Sequence, residues 1–212
     1  MGGAQHVEDA TRTAVVRIAK AADRADVMPA TQGNFSARDP RTGLVVITPH
    51  DYPYDLLTPD DLVVLDTSGA QVGGERQPSA DATIHCTVYR ERPGVGAVIH
   101  TEPPYVNAFG AVRRDIDIVT TTGLKSSGGS VPVMEFLPLR DEAFALEMLR
   151  VMGDRHAVIW ANHGLLVVGD TLEQAYNRTL GVEFNARVLH LSLSLGRPRR
   201  LAGTISAARV TE

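Results

Sequence analysis

Cysteine is almost absent from this 212-residue chain, in which Cys86 is the only example. A single cysteine cannot form an intrachain disulfide or a cysteine-rich metal site, so any metal must bind nitrogen and oxygen ligands. Excess positive charge is also lacking, because 21 basic residues stand against 25 acidic ones, for a net charge of −4. Nucleic acids and anionic membranes attract proteins with broad positive fields. We therefore expect a small-molecule substrate, with neither a nucleic-acid nor a membrane partner.

Long apolar segments are absent as well. No run of residues approaches the roughly 20 apolar residues that a membrane helix needs, and the N-terminus lacks the basic-then-apolar order of a secretory signal. These absences predict a cytoplasmic protein. The length suits one compact domain over residues 1–212. Residues 197–212 follow a Gly-Arg-Pro break and show little periodicity, so we expect a loosely structured tail there.

Three common catalytic motifs are missing. The sequence has neither a GxxxxGK[ST] loop nor a GxGxxG turn after a predicted strand, which excludes the usual nucleotide cradles. It also lacks the GxSxG turn that carries a nucleophilic serine. The chemistry must therefore be sought among histidines and carboxylates.

The order of predicted elements indicates the fold class. Apolar residues at helical or alternating spacing predict helices over 6–27, 78–92, 141–152 and 171–195, and strands over 35–38, 44–47, 61–66, 95–100, 157–160 and 165–168. Ser79 is the expected N-cap of the second helix, with Asp81 in its first turn. The first strands form a meander, so the pattern predicts an α/β/α sandwich, three layers around a mainly antiparallel central sheet.

Four residues are candidate metal ligands. His100 ends one predicted strand and His163 comes shortly after another, where side chains are held rigidly at the edge of a core. Glu102 would point to the same face as His100 if the strand continued, and Asp81 at a helix start offers a further oxygen. A histidine at a strand end is also commonly a structural residue, and Glu102 by itself is typical of a solvated surface acid. The spacing alone leaves both interpretations open.

Five sequence blocks resemble the class II aldolase/adducin family. They are GNFSAR at 33–38, ITP at 47–49, PSAD at 78–81, HTEPPY at 100–105 and NHGLLVVG at 162–169, and the resemblance covers about residues 7–195 in the family's order. The family includes fuculose-phosphate aldolases, ribulose-phosphate 4-epimerases, decarboxylases and the non-enzymatic adducin head. The resemblance implies an α/β/α sandwich that assembles as a homotetramer with active sites at subunit contacts.

The resemblance also implies roles for the candidate ligands. His100, Glu102, His163 and Asp81 map onto the family's metal ligands, and Asp81 onto the ligand that also acts as catalytic acid or base. Glu102 stands where the family has histidine, and Asp81 where the aldolases have glutamate. Two imidazoles and two carboxylates make a harder site, which shifts selectivity toward Mn²⁺ or Fe²⁺, although Zn²⁺ is still the expected ion.

The implied substrate pocket departs from the family pattern. Gly33, Asn34 and Ser79 match its phosphate-binding residues, whereas His50 and Asp51 replace a Ser/Thr-Gly pair, and Ala80 replaces a serine. A carboxylate at Asp51 would repel a phosphate unless it turned away. The tyrosines that the aldolases use as acids are also missing, which leaves His50, or Lys125 in a Gly/Ser-rich loop, as substitutes.

The resemblance implies a lyase that cleaves a C–C bond of a small hydroxy-carbonyl, sugar-phosphate-like substrate through a metal-stabilised enediolate. Two alternatives remain at this point. One is an epimerase or decarboxylase on the same metal platform, and the other is a non-catalytic, adducin-like binding module.

Overall fold

The computed structural model describes residues 7–201. Within that range the α-helices are α1 (Asp9–Arg24), α2 (Ala82–Glu91), α3 (Pro104–Ala111), α4 (Thr121–Ser127), α5 (Glu142–Met152) and α6 (Leu172–Leu195), and a short 3-10 helix covers Pro59–Asp61. The strands are β1 (Asn34–Arg38), β2 (Val45–Ile47), β3 (Val63–Leu65), β4 (Gln71–Gly73), β5 (Ala97–Thr101), β6 (Val133–Met134), β7 (Ala157–Trp160) and β8 (Gly164–Gly169). The predicted loose tail falls largely outside the described residues.

The strands form one sheet in the order β4-β3-β2-β1-β5-β8-β7-β6. All neighbouring pairs are antiparallel except β6 and β7, which are parallel. The central strand β5 pairs with β1 and β8, and its register sets His100 opposite both Asn34 and Leu166. The predicted mainly antiparallel sheet is confirmed.

Helices cover both faces of the sheet. Alternate residues of β5 point to opposite faces, so Val98 packs among side chains of α2 and α5 while Ile99 packs among those of α1 and α6. A third apolar cluster joins α3 and α6 to β7 and β8. The strand β5 is buried along its whole length, and burying each large aliphatic side chain contributes about 1.5–3 kcal/mol. The three-layer arrangement is thus confirmed.

Two predicted helix boundaries differ from the structure for local reasons. Helix α1 ends at Arg24 instead of continuing to residue 27, because Asp26 has a left-handed backbone with φ of 55°. Helix α2 begins at Ala82, and Asp81, not Ser79, occupies the N-cap position. The side chain of Asp81 makes no capping hydrogen bond within α2, so it is available for other contacts.

The segment 119–129 was expected to be a Gly/Ser-rich loop and instead contains α4. The Thr120 side chain accepts a hydrogen bond from the Gly123 backbone, and Gly128 ends the helix with φ of 75°. Gly123 lies against Asn185 of α6, where an added Cβ would come within 2.4 Å of the amide oxygen. Packing on α6 therefore stabilises a segment whose composition is typical of a loop.

Among the helices of residues 7–201, none is both long enough and apolar enough to cross a membrane.

Candidate metal centre

Asp81 lies at the start of α2 and is 2% exposed. Its Oδ2 accepts a hydrogen bond of 2.8 Å from Nδ2 of Asn34, and its backbone N–H donates to Oγ of Ser79 at 3.2 Å. Its other oxygen, Oδ1, is buried without a hydrogen-bond partner in the described part of the chain. A buried carboxylate oxygen that accepts no hydrogen bond is costly unless a cation lies beside it.

His100 is the fourth residue of β5 and is almost fully buried. Its Nδ1 lies 3.2 Å from the carbonyl oxygen of Leu165. Because a carbonyl can only accept, Nδ1 carries the proton and Nε2 is left as a lone-pair donor. The imidazole lies nearly parallel to the rings of Trp160 and His163, with ring centroids 4.4 and 4.8 Å away, and these two contacts restrict its orientation.

His163 lies in the tight turn between β7 and β8. The turn brings the chain so close to β5 that an added Cβ on Gly164 would lie 2.5 Å from the carbonyl oxygen of Thr101. The same Cβ would lie 2.7 Å from Cε1 of His100. A residue with a side chain at position 164 would therefore collide with the His100 ring and the β5 backbone. Asn162, which precedes His163 in the turn, has a left-handed backbone with φ of 57°.

One ligand atom from each of Asp81, His100 and His163 lies within 4.8 Å of the others. We call these three residues the ligand cluster. Ligands about 2.0–2.2 Å from a tetrahedral ion lie roughly 3.4 Å apart, so small side-chain adjustments suffice to bind one ion. The cluster thus satisfies the geometric requirement for a metal site at these residues.

The electrostatic state of the cluster suits a divalent cation. Burial lowers the pKa of His100, and burial followed by repulsion from Arg140 lowers that of His163. Burial alone would raise the pKa of Asp81, but attraction to His100 and Arg140 outweighs it, and the pKa is lowered. Neutral imidazoles beside an ionised carboxylate are the protonation states that a metal requires.

Arg140 approaches the cluster from the segment before α5 and was not among the predicted site residues. Its Nη1 lies 3.1 Å from Oδ1 of Asp81 and 3.0 Å from Nε2 of His163. The contact with Asp81 is an ion pair and not an aligned hydrogen bond, because Oδ1 accepts no hydrogen bond from the described residues. The sequence signal was a lone arginine in the apolar run FLPLR, directly before the N-cap Asp141 of α5.

Glu102 is not part of the ligand cluster that the described residues form. The strand β5 ends at Thr101, so the alternation that was expected to set Glu102 beside His100 does not extend to it. Its side chain is half-buried and passes close to Gly164. Burial raises its pKa, and although Arg140 opposes that effect, the net direction is upward. A ligand role for Glu102 stays a prediction.

A chain of buried hydrogen bonds runs from the Oδ2 atom of Asp81 into the core. The carboxylate of Asp81 only accepts, so Asn34 must face it with Nδ2 and turn Oδ1 to Nε2 of His85, at 2.7 Å. His85 therefore carries its proton on Nε2, and its Nδ1 accepts from Oγ of Ser36 at 2.6 Å. Ser36 in turn contacts the Tyr89 hydroxyl at 2.8 Å. Burial lowers the pKa of His85 to about 4, which keeps the ring neutral.

A cavity of about 290 Å³ opens onto the ligand cluster. The four residues predicted to bind substrate, which are Gly33, Asn34, His50 and Ser79, all line it. Asp51 lines it too, but its Oδ1 accepts from Oγ of Thr31 at 2.6 Å, so the carboxylate has a local partner. Lys125 instead lines a separate depression with Glu173 and Arg178, which leaves His50 as the nearer of the two candidate acids.

Comparison with known proteins places these features in a family. The model of the class II aldolase and adducin N-terminal domain matches residues 13–190. A 5-deoxy-D-ribulose 1-phosphate aldolase of Bacillus thuringiensis serovar kurstaki is 30% identical over 171 residues, which are 81% of this chain and 80% of that protein.

Solved structures agree with this similarity. An L-fuculose 1-phosphate aldolase has a TM-score of 0.88 at 28% identity, covering 94% of this chain and 93% of its own. The L-fuculose-1-phosphate aldolase of Thermus thermophilus has a TM-score of 0.77 at 25% identity, covering 92% and 100%. Neither the epimerase, the decarboxylase nor the adducin-like alternative is favoured by these relatives. The chain belongs to the class II aldolase and adducin family, as a metal-dependent lyase of the aldolase type.

Proposed function

We propose that this enzyme cleaves a C–C bond in a small phosphorylated hydroxy-carbonyl compound by retro-aldol chemistry. The observation that carries the proposal is the ligand cluster, which lies at the inner end of a polar cavity. The named relatives act on 5-deoxy-D-ribulose 1-phosphate and on L-fuculose 1-phosphate, and the cavity suits a substrate of that size class.

His100, His163 and Asp81 would hold the ion. Two imidazoles and one carboxylate form a donor set that zinc enzymes use, so we propose Zn²⁺, with Mn²⁺ or Fe²⁺ as alternatives. When bound, the ion supplies Lewis-acid stabilisation of the negative charge that develops on substrate oxygens. Glu102 would join only after its side chain rotates toward the cluster.

Asp81 is the proposed acid/base catalyst. Its lowered pKa keeps it ionised at neutral pH, so it can accept a proton on Oδ1, the oxygen that lacks a hydrogen bond among the described residues. Asn34 holds the other oxygen and so fixes the direction in which Oδ1 points. The polar end of the cavity, at Gly33, Asn34, His50 and Ser79, would bind the substrate's phosphate.

We also propose a cytoplasmic homotetramer with active sites at subunit contacts. The exposed apolar side chains of Phe136, Leu137 and Leu139 support it, because they lie beside the site on the segment that carries Arg140. A subunit that covers them would also close one side of the cavity.

The test is metal content followed by a substrate panel. Purified protein is analysed for bound divalent ions and then assayed for aldehyde release from phosphorylated and unphosphorylated ketoses and hydroxy acids, with added Zn²⁺ and Mn²⁺. We expect about one ion per chain and turnover of a phosphorylated ketose. Asp81→Asn should lower kcat by about 10²–10⁴, while the exposed control Glu147→Gln should not. Protein without bound metal and without aldehyde release would refute the proposal.

A further inference from the structure

Arg140 is the one guanidinium among the described residues that line the substrate cavity. Its Nη1 contacts Oδ1 of Asp81 and Nε2 of His163, at 3.1 and 3.0 Å. Both atoms belong to residues that the proposed function assigns to the metal ion. The arginine thus stands where a cation is expected.

An ion and this guanidinium cannot use the same atoms together. An ion about 2.0–2.2 Å from Asp81 and His163 would overlap the space around Nη1, and the two positive charges would repel each other. Metal binding must therefore move Arg140. The side chain is free to move, because it is 40% exposed and its segment, between β6 and α5, has no regular structure.

Arg140 lies at the border between two cavities. One is the polar substrate cavity, and the other, of about 220 Å³, is lined largely by apolar side chains such as Phe136, Phe144 and Trp160. A guanidinium that turned into the apolar cavity would lose hydration, and the carboxylate that lines this cavity, Glu135, already pairs with Arg113. The polar cavity is therefore the favourable destination.

The polar cavity needs a cation if it is to bind phosphate. Two carboxylates line it, Asp51 and Asp81, and a phosphate dianion would be repelled by both. The donors near Asp81 are partly engaged, because Asn34 Nδ2 already donates to that carboxylate. Arg140 supplies the missing positive charge and a planar set of N–H donors that matches phosphate oxygens in pairs.

We propose that Arg140, once displaced by the metal, binds the phosphate of the substrate and selects phosphorylated over unphosphorylated compounds. The inference rests on the proposed function. It assigns Arg140 a specificity role that Asp51 and Ala80 cannot provide, because neither offers a positive charge to the phosphate, while His50 lacks the paired, planar N–H donors of a guanidinium.

The experiment compares Arg140→Met and Arg140→Lys with the control Arg150→Met, which removes an exposed arginine on α5 that pairs with Glu147. Inorganic phosphate is titrated into the zinc-loaded full-length proteins. We expect Arg140→Met to weaken phosphate binding at least tenfold and Arg140→Lys to restore part of it, since lysine keeps the charge but not the planar fork. The control should match the wild type.

Two further measurements separate this role from a structural one. Zinc titration of the metal-free proteins should show tighter binding to Arg140→Met, because the competing cation is gone. With substrate, the variant should raise KM for the phosphorylated compound about 10- to 100-fold and leave an unphosphorylated analogue within about threefold.

Unchanged phosphate affinity in Arg140→Met would overturn the inference. An equal rise in KM for phosphorylated and unphosphorylated compounds would also overturn it, because the arginine would then not bind the phosphate group. The phosphate and zinc titrations do not depend on turnover. If the wild type cleaves no phosphorylated ketose, the proposed function fails while these titrations still decide the role of Arg140.

Discussion

The buried imidazole of His85 should make the protein sensitive to acid. In the folded state its pKa is lowered to about 4 by burial, against an ordinary value of 6.5. Between those pH values an unfolded chain binds a proton on His85 and the folded chain does not, so stability falls as pH decreases from about 6.5 to about 4. At about 1.4 kcal/mol per pH unit, the loss from this residue reaches about 3 kcal/mol.

The structure explains why a proton cannot be accommodated. Nε2 already donates to Asn34, and Nδ1 accepts from the Ser36 hydroxyl. A proton on Nδ1 would turn that acceptor into a donor, so the Ser36 hydroxyl would have to rotate and donate to Tyr89 instead. The ring would also carry a positive charge in a fully buried position, which is the larger cost. The neutral ring satisfies the network without either change.

The assay is urea denaturation of the wild type and His85→Gln at pH 7, 6, 5 and 4. Loss of a buried histidine from the network should destabilise the variant at pH 7, by about 1–3 kcal/mol for each buried group left unpaired. That deficit should shrink by about 3 kcal/mol as pH falls to 4, because only the wild type must keep an imidazole neutral there. The exposed His190→Gln is the matched control. A deficit that stayed constant over this pH range would refute the reasoning.

Four other predictions follow from the contacts at the site. Asp81→Asn should weaken zinc affinity tenfold or more, whereas Glu102→Gln should change it less than about threefold in a competition titration, since Glu102 lies outside the cluster; a tenfold loss would place it among the ligands. Gly164→Ala should destabilise the fold by about 1–3 kcal/mol in urea, because its Cβ would meet the Thr101 carbonyl; wild-type stability would contradict this packing. Asp141→Ala should cost about 1 kcal/mol by removing the N-cap of α5, and a neutral result in the same assay would argue against that cap. Light scattering should give a tetramer at micromolar concentration, and a 22.8 kDa species alone would count against shared sites.

The layered fold was predictable because its central strands have strong local patterns. The apolar run at 157–160 matches β7, and each of its residues is buried. The predicted end of the strand at His100 was one residue short, since β5 continues to Thr101 through its pairing with Leu165. Hydrophobic patterns identify such elements because burial on both faces leaves few alternatives.

Helix α4 was not predictable from composition. Its seven residues include glycine and two serines, which favour turns in isolation. Its stability depends on α6, where Asn185 accepts hydrogen bonds from the backbone of Val119 and Thr120 just before the helix. A contact between residues so far apart in the sequence cannot be read from a local pattern.

The ligand cluster was predictable in part. His100 and His163 were selected because each lies at or just after the end of a predicted strand, and the pairing of β5 with β8 then brings them together. Glu102 was selected on an alternation that stops one residue earlier, at Thr101. Arg140 was missed because its contacts with Asp81 and His163 depend on how the chain enters α5, and a lone arginine in an apolar run does not specify that path.

The two sides of the site differ in rigidity, and this difference should separate stability from specificity. On the core side of Asp81, the side chains of Asn34, His85 and Ser36 are buried and hydrogen-bonded to one another in sequence. A substitution there leaves a buried polar group without a partner and weakens the fold. In front of Asp81, Arg140 is 40% exposed, and its ion pair with the carboxylate is unaligned for hydrogen bonding. Replacing it removes a charge at little cost to packing. Substrate preference in this enzyme can therefore change at the Arg140 side while the hydrogen bonds that hold the ligand cluster stay intact.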